Sequence, residues 1–189
     1  MADFQTALKK VLQFEGGYAD DPDDAGGETY RGVSRRFFPR WWGWDYVDAL
    51  KTDPSFPAVL ASDVRLSLAV EMFYEAAFWD RFQGAQIQSQ RIADEVMEQA
   101  VHLGVHRAVE FLQRGMNLLN RNQQDYSDLA EDGALGPKTL DQVNRQSSSH
   151  VWVNYLLVVL NGLQFSHYAE RARKSPVNEK YFRGWLSRC

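Results

Sequence analysis

Apolar residues recur along the chain at the spacing of helical faces, separated by short polar connectors. Near the N-terminus, Leu8, Val11 and Leu12 lie on one helical face. Asp3 can cap this first helix, which is predicted to run to about Phe14. No strand-like alternation of useful length is present, so the pattern predicts an all-α fold. Later segments with helical spacing cover about residues 63–82, 92–102, 105–119 and 152–165.

Length and composition allow these helices to form a single compact body. The chain has 189 residues, of which 44% are hydrophobic, enough to bury a core. About seven to nine helices are expected. The polar stretch from Gln83 to Arg91 has the character of a hinge, so two halves are predicted, residues 1–91 and residues 92–189. The apolar run from Trp152 to Phe165 is too short and too interrupted to span a membrane, so no stable membrane insertion is expected.

The connector after the first helix begins with an acid in an unusual position. Glu15 continues the apolar face of the helix, so its carboxyl group is expected to point toward buried surface. Burial and the partial negative charge of a helix C-terminus both favour the protonated form of a carboxyl group, which can then act as a general acid. Gly16 and Gly17 are predicted to adopt positive φ, ending the helix and letting the chain approach a ligand. The alternative is a solvated acid followed by an ordinary glycine cap.

Two further residues of this connector carry candidate chemistry. Asp24 follows Glu15 after eight intervening residues, and Thr29 follows Asp24 after four more. A loop of this composition can fold back over the helix end and place an acid and a hydroxyl group opposite Glu15. Glycosidic bonds are commonly cleaved by such a pairing, in which one group protonates the leaving oxygen and another stabilises the positive charge or activates water.

A calcium-binding loop is the competing interpretation of the same acids. Asp21, Asp23 and Gly26 match positions 1, 3 and 6 of an EF-hand loop. Ala25 and Gly32 occupy positions 5 and 12, so the bidentate glutamate is missing. Calcium is therefore disfavoured, and no cofactor is expected.

Charge and spacing disfavour two other classes of partner. The formal net charge of −4 argues against nucleic acid, whose binding domains are normally basic. His102 and His106 have the spacing of two zinc ligands on one helix, but Gly104 lies between them and the His-Glu-x-x-His pattern is absent, so no metal is expected. Four arginines after the acidic loop form either a local patch for an anionic polymer or a solvated face: Arg31, Arg35, Arg36 and Arg40.

The connector resembles the signature of a known enzyme family. Glu15-Gly16-Gly17-Tyr18, Asp21-Pro22-x-Asp24-x-Gly26-Gly27-x-Thr29 and Gly32-Val33 resemble the family 108 glycoside hydrolases, which are lysozyme-like N-acetylmuramidases of phage endolysins and secretion-associated systems. The resemblance implies a lysozyme-like helical fold with residues 1–91 as the catalytic half. It also implies that Glu15 is the catalytic acid, with Asp24 and Thr29 as further catalytic residues.

The same resemblance suggests which residues contact the substrate. Arg31 departs from the family pattern, in which an aromatic or apolar residue often precedes the glycine, and this puts the fine contacts in doubt. The substrate-binding residues expected on this basis are Gly17, Tyr18, Tyr30, Arg31, Tyr74 and Trp79.

A second motif lies in the C-terminal half. The stretch from Asp132 to Leu140 resembles the Asp-Gly-x-x-Gly-Pro-x-Thr element of small helical peptidoglycan-binding modules, with Leu112 and Gln113 matching their preceding helix. Residues 92–189 are therefore expected to form a peptidoglycan-binding-like half packed on the catalytic half.

Together these resemblances imply a peptidoglycan hydrolase of lysozyme type. It would cleave the β-1,4 bond between N-acetylmuramic acid and N-acetylglucosamine in glycan strands, as a monomer. A lytic transglycosylase and a non-catalytic peptidoglycan-binding protein stay open as alternatives. The first residues lack the charged and apolar regions of a signal peptide, so we expect synthesis in the cytoplasm and action in the periplasm or cell wall after release by a holin or a secretion system.

Overall fold

The computed structural model describes residues 1–21 and 26–189. Within these residues the chain forms eight α-helices, an essentially all-α, lysozyme-like fold as predicted. No helix among them has the length and apolar character that a membrane crossing requires. The helices are α1 (Phe4–Val11), α2 (Gly43–Leu50), α3 (Val64–Tyr74), α4 (Gln90–Leu103), α5 (Val105–Leu119), α6 (Pro137–Gln146), α7 (His150–Lys174) and α8 (Pro176–Leu186).

A small antiparallel sheet interrupts the helices after α1. Its strands are β1 (Tyr18–Ala19), β2 (Thr29–Tyr30) and β3 (Val33–Ser34), in that spatial order. The sequence pattern does not reveal these strands because two residues are too few to show alternation. They lie within the connector that carries the candidate catalytic residues.

Short polar side chains cap the N-termini of several helices, where they accept hydrogen bonds from free backbone N–H groups. The Asp3 carboxylate accepts a hydrogen bond of 2.8 Å from the N–H of Thr6, so the predicted cap of α1 is confirmed. Asp63 accepts from two backbone N–H groups at the start of α3. Between α4 and α5, Gly104 has φ of +88°, a value that glycine tolerates and that ends the first helix before the second begins.

The residues cluster in space into two compact units. One unit comprises Leu8–Ala77, and the other comprises Met1–Ala7 with Phe78–Cys189. The smaller unit buries apolar residues from β3, α2 and α3, among them Val33, Val47 and Leu66. The larger unit is built on α4, α5 and α7, which contribute fully buried Ile92, Leu112, Leu156 and other apolar residues. Glu15, Thr29 and the other connector residues that the structure describes lie in the smaller unit.

Tryptophan side chains close the base of the smaller unit. The ring N–H of Trp41 donates to the carbonyl of Ala69 at 3.2 Å, and that of Trp44 donates to the carbonyl of Phe38 at 2.9 Å. Both rings are buried, whereas Trp42 is 38% exposed. The first two rings therefore combine apolar burial with satisfied polar atoms, and Trp41 packs on α3.

Candidate active site

Glu15 lies beyond the last turn of α1. The helix ends at Val11, and the next three residues form a turn whose hydrogen bonds include Phe14 N–H to the Val11 carbonyl at 3.0 Å. The helix that was predicted to run to about Phe14 therefore ends three residues earlier, and a tighter turn follows it. Glu15 is neither buried nor fully exposed. This position leaves its carboxyl group accessible to a ligand.

The Glu15 carboxyl group lies against the backbone of a tight turn. Gly32 has φ of +78°, and a Cβ atom built on it would stand 2.7 Å from Glu15 Oε2 and closer still to the hydroxyl oxygen of Tyr74. A side chain at this position would therefore strain the backbone and force the Glu15 or Tyr74 side chain to move. Gly32 allows the carboxyl group of Glu15 and the hydroxyl group of Tyr74 to approach the same stretch of backbone.

Tyr74 supports this turn through a hydrogen bond. It stands at the end of α3, is 1% exposed, and donates a hydrogen bond of 2.9 Å from its hydroxyl group to the carbonyl of Arg31. Arg31 has φ of +44°, a left-handed conformation that costs a non-glycine residue free energy of order 1–3 kcal/mol. The hydrogen bond from Tyr74 stabilises that conformation.

The two glycines after Glu15 do not adopt the conformation that the sequence analysis predicted. Positive φ occurs at Gly27 and Gly32 of this loop, whereas Gly16 and Gly17 are not in that region, so the prediction for them is wrong. A Cβ atom built on Gly16 or Gly17 would meet no atom of residues 1–21 or 26–189 within 4 Å. Both glycines are exposed, so the chain directly after Glu15 is accessible, as a ligand-binding position requires.

Thr29 is fixed in the central strand of the small sheet. Strand β2 places it opposite Ala19 on one side and Ser34 on the other. Its hydroxyl group donates to the carbonyl of Gly27 at 3.0 Å, a contact that orders the loop. Asp24, the third predicted catalytic residue, lies outside the described residues. The catalytic roles of all three residues stay predictions.

A partly exposed ionic cluster supports the first strand. The hydroxyl group of Tyr18 donates to Glu28 Oε1 at 3.0 Å, and the Glu28 carboxylate pairs with Arg35 at 2.6 Å and with Lys51 at 2.8 Å. Burial, followed by the neighbouring Glu28, raises the pKa of Tyr18 to about 12. Tyr18 therefore stays a neutral donor at physiological pH. The sequence analysis missed Glu28, although its place directly before Thr29 and ahead of several arginines was a usable signal.

The other predicted substrate contacts differ in accessibility. Tyr30 is 2% exposed and donates to the carbonyl of Leu60 at 2.9 Å, while the Arg31 guanidinium lies 5.7 Å from the centre of its ring. Trp79 belongs to the larger unit, where it is 2% exposed and packs on Phe4. Substrate binding by Tyr30, Tyr74 and Trp79 stays a prediction, and the burial of all three argues for support rather than direct contact.

The two histidines considered as zinc ligands have separate packing partners. His102 Nδ1 lies 2.5 Å from the Tyr168 hydroxyl oxygen, and burial lowers the pKa of His102 to about 4. The His106 ring lies against Gly133, where a Cβ atom would come within 2.7 Å of the ring. Each ring thus packs with a different partner of the larger unit.

Two protein-family models match this chain. The family model described as glycosyl hydrolase 108 matches residues 8–104, more than half of the chain. The chain belongs to the glycosyl hydrolase 108 family. A second model, described as a predicted peptidoglycan domain, matches residues 107–189. The chain is therefore a glycoside hydrolase followed by a domain of the peptidoglycan-binding type. The motifs at Glu15 and at Asp132–Leu140 predicted these two parts.

A solved structure supports the fold of this family member. The structure of SagA from Brucella abortus matches with a TM-score of 0.51 at 20% sequence identity, and the match covers 97% of this chain and 94% of that one. At this identity the likeness concerns the fold alone. No match was found among curated proteins. The predicted boundary between residues 91 and 92 stays a prediction.

Proposed function

We propose that this glycosyl hydrolase 108 member is an N-acetylmuramidase with Glu15 as its general acid. It would hydrolyse the β-1,4 bond between N-acetylmuramic acid and N-acetylglucosamine in peptidoglycan. The observation that carries the proposal is the placement of the Glu15 carboxyl group, which lies against the Gly32 turn and is followed by the exposed Gly16 and Gly17. At this accessible position a glycosidic oxygen could accept a proton from Glu15.

Two features of the smaller unit support this role for Glu15. The turn that carries Gly32 is held by the hydrogen bond from Tyr74, so the backbone under the carboxyl group is fixed. The sheet is anchored by the Glu28 ion pairs with Arg35 and Lys51. A catalytic group placed against rigid elements keeps the orientation that proton transfer requires.

Analysis of reaction products tests the reaction class. Purified peptidoglycan is incubated with the full chain, and the soluble fragments are identified by mass spectrometry. Muramidase activity releases fragments with reducing muramic acid ends. Anhydro-muramic acid ends would instead identify a lytic transglycosylase, and pelleting with the cell wall without fragment release would identify a binding protein.

Substitution of the proposed acid tests its identity. Glu15→Gln is expected to lower the rate of peptidoglycan hydrolysis by about two to four orders of magnitude, because removing a general acid has effects of this size. The amide has nearly the same volume, so thermal unfolding should be unchanged. Asp53→Asn is a matched control, since it neutralises an acid that, like Glu15, is neither buried nor fully exposed and whose partner is Ser55 in the same unit. Activity of Glu15→Gln within about threefold of the unmodified enzyme would rule out this assignment.

A further inference from the structure

A groove in the larger unit is distinct from the candidate active site. It has a volume of about 890 Å³ and lies between the chain segment at residues 126–130 and the start of α6, with Gln113 at its floor. Pockets for small ligands commonly have volumes of about 300–1,000 Å³. The groove is therefore large enough for several residues of an extended peptide or for a disaccharide.

The floor of the groove is fixed by one buried amide. Gln113 is 1% exposed, and its side-chain NH2 group donates to Asp132 Oδ1 at 2.8 Å and to the carbonyl of Ala134 at 2.9 Å. Its carbonyl oxygen accepts from the N–H of Gly133 at 2.9 Å. These bonds hold the Asp132–Gly136 turn in one position, so the groove is preformed and loses little freedom when a ligand binds.

One wall of the groove is formed by the backbone of an extended chain segment. Residues 127–131 run without turn or bend. The Asn117 side chain binds both backbone groups of Leu129, accepting from its N–H at 2.8 Å and donating to its carbonyl at 2.9 Å. In extended chain, neighbouring residues direct their backbone groups to opposite sides, so those of Asp128 and Ala130 point away from Asn117.

The backbone groups of Asp128 and Ala130 have no hydrogen-bond partner in the parts of the chain that the structure describes. Both residues line the groove. Unpaired N–H and C=O groups along an extended segment are a template for the backbone of another peptide. A sugar offers hydroxyl groups but no such ladder, so this edge favours a peptide ligand over a glycan.

Charges of both signs lie on the groove. Lys138 is exposed and forms no ion pair with any residue that the structure describes. Asp132 lies on the turn, where its hydrogen bonds with Gln113 and with the N–H of Ala134 lower the pKa of its carboxyl group and keep it ionised. A ligand with both a carboxylate and an ammonium group would complement this pair.

We propose that this groove binds the peptide stem of peptidoglycan as an extended strand added to residues 127–131. Lys138 pairs with a carboxylate of the stem, and Asp132 pairs with its free amino group. The proposal rests on the proposed function in that peptidoglycan is the ligand. It assigns the larger unit to the peptide part of the polymer and leaves the glycan to the smaller unit.

Calorimetric titration of the full chain with three soluble probes tests the ligand class. The probes are a disaccharide carrying a tetrapeptide, the same disaccharide without peptide, and the tetrapeptide alone. We expect the two peptide-bearing probes to bind with similar affinity and the bare disaccharide to bind at least about tenfold more weakly. Equal binding of the bare disaccharide, or no binding of the tetrapeptide, would overturn the proposal.

Two variants locate the binding to the groove. Lys138→Glu is expected to weaken tetrapeptide binding by about tenfold, because it replaces an attractive pair with a repulsive one. Ala130→Trp fills the groove from an exposed position and should abolish binding without changing the thermal unfolding temperature. Lys180→Glu is the matched control, an exposed lysine on α8 away from the groove. Unchanged affinity in both groove variants would show that the peptide binds elsewhere.

Hydrolysis of peptide-free glycan strands separates this inference from the proposed function. Strands without peptides are still substrates for the active site but cannot occupy the groove as proposed. Cleavage of these strands by a chain that does not bind the tetrapeptide would overturn the groove assignment alone. Tetrapeptide binding by a chain that cleaves no glycan would overturn the muramidase proposal alone.

Discussion

Gly32 is the residue on which the geometry around Glu15 depends most directly. Its left-handed φ and the absence of a side chain allow the Glu15 carboxyl group and the Tyr74 hydroxyl group to lie against the same turn. Tyr74 then bonds the carbonyl of Arg31 and fixes the turn. The position of the proposed acid therefore depends on a residue that takes no part in chemistry.

Gly32→Ala tests this dependence. The added Cβ atom would stand 2.7 Å from Glu15 Oε2, and alanine is strained at φ of +78°. We expect the free energy of unfolding to fall by about 1–3 kcal/mol and hydrolysis to fall further than stability explains. Urea unfolding and initial rates on peptidoglycan measure the two effects. Gly184→Ala on α8 is the control, since its Cβ atom would meet no neighbouring atom within 4 Å among the residues that the structure describes. A Gly32→Ala enzyme of normal rate would contradict the argument.

Asp24 and Asp20 allow a direct comparison of two acids in the same loop. Asp24 has the spacing from Glu15 and Thr29 on which the sequence prediction rests, whereas Asp20 is exposed at the end of β1. We expect Asp24→Asn to slow turnover much more than Asp20→Asn, measured as initial rates at saturating peptidoglycan. Equal and mild effects would mean that Glu15 works without a fixed carboxylate partner.

Single-residue features were predictable from sequence where they depend on neighbouring residues, and were not predictable where they depend on residues far along the chain. The Asp3 cap needs only the neighbouring helix and was readable from sequence. The location of positive φ at Gly32 rather than at Gly16 or Gly17 depends on Tyr74, which is 42 residues further along the chain. The ion pair of Glu28 with Lys51 also joins residues far apart in the chain, so the position of Glu28 before Thr29 could indicate its importance but not this partner.

At the scale of elements, helices were predictable because their period repeats over several turns. Predicted segments 92–102 and 105–119 correspond to α4 (Gln90–Leu103) and α5 (Val105–Leu119). The predicted segment 63–82 is helical through Phe82, but it contains a π turn at Glu75–Trp79. Because a π turn has more residues per turn than an α-helix, the side chains after it point in other directions than a continuous α-helix would give. The two-residue strands have no period to detect, although they position Thr29 and Tyr30 in the candidate site.

A buried polar network joins α4 and α7 within the larger unit. The Gln99 amide donates to Glu95 at 2.9 Å and to Gln164 at 3.2 Å, and Gln164 donates to Glu98 and to Tyr168. Burial, followed by the negative charge of Glu98, raises the pKa of Glu95 to about 7. These two helices therefore have an interface whose stability depends on pH.

Glu95→Gln tests the sign of that dependence. Between pH 4.5 and about 7 the folded state holds a proton on Glu95 that the unfolded state has lost, so Glu95 reduces stability as pH rises through this window, by about 3 kcal/mol in total. His102, whose pKa is lowered to about 4, acts in the opposite direction between pH 4 and 6.5. Glu95→Gln should therefore gain stability relative to the unmodified chain as pH rises from 5 to 8.

Urea unfolding at pH 5, 6, 7 and 8 measures this gain. Glu179→Gln on α8 removes one exposed carboxylate and serves as the control. The difference between Glu95→Gln and the unmodified chain should increase toward pH 8, whereas that of the control should stay constant. A constant difference for Glu95→Gln would mean that this carboxyl group titrates alike in the folded and unfolded states.

At the scale of the whole molecule, the compact units do not coincide with the family matches. The glycosyl hydrolase match covers residues 8–104, but residues 78–104 cluster with the larger unit. Residues 1–7 lie outside both matches and also belong to the larger unit. Sequence patterns could not predict this division, because it depends on contacts between residues far apart in the chain, such as the hydrogen bond from Ala2 to Ile87.

Specific contacts tie the N-terminal residues to the larger unit. The N–H of Ala2 donates to the carbonyl of Ile87 at 2.7 Å, and Asp3 exchanges two backbone hydrogen bonds with the Gln90 side chain. The Phe4 ring packs on Trp79 with 5.7 Å between ring centres. Loss of these contacts should weaken the start of α4 and leave the smaller unit intact.

Phe4→Ala tests this assignment through amide hydrogen exchange. Removal of the ring takes away its packing on Trp79, so we expect exchange in the first turns of α4 to accelerate by about tenfold, corresponding to about 1.4 kcal/mol. Exchange in α2 of the smaller unit should not change, because Phe4 belongs to the other unit. Phe37→Ala removes a ring that is 66% exposed and controls for the loss of an aromatic side chain. Faster exchange in α2 with α4 unaffected would instead place the first seven residues with the candidate active site.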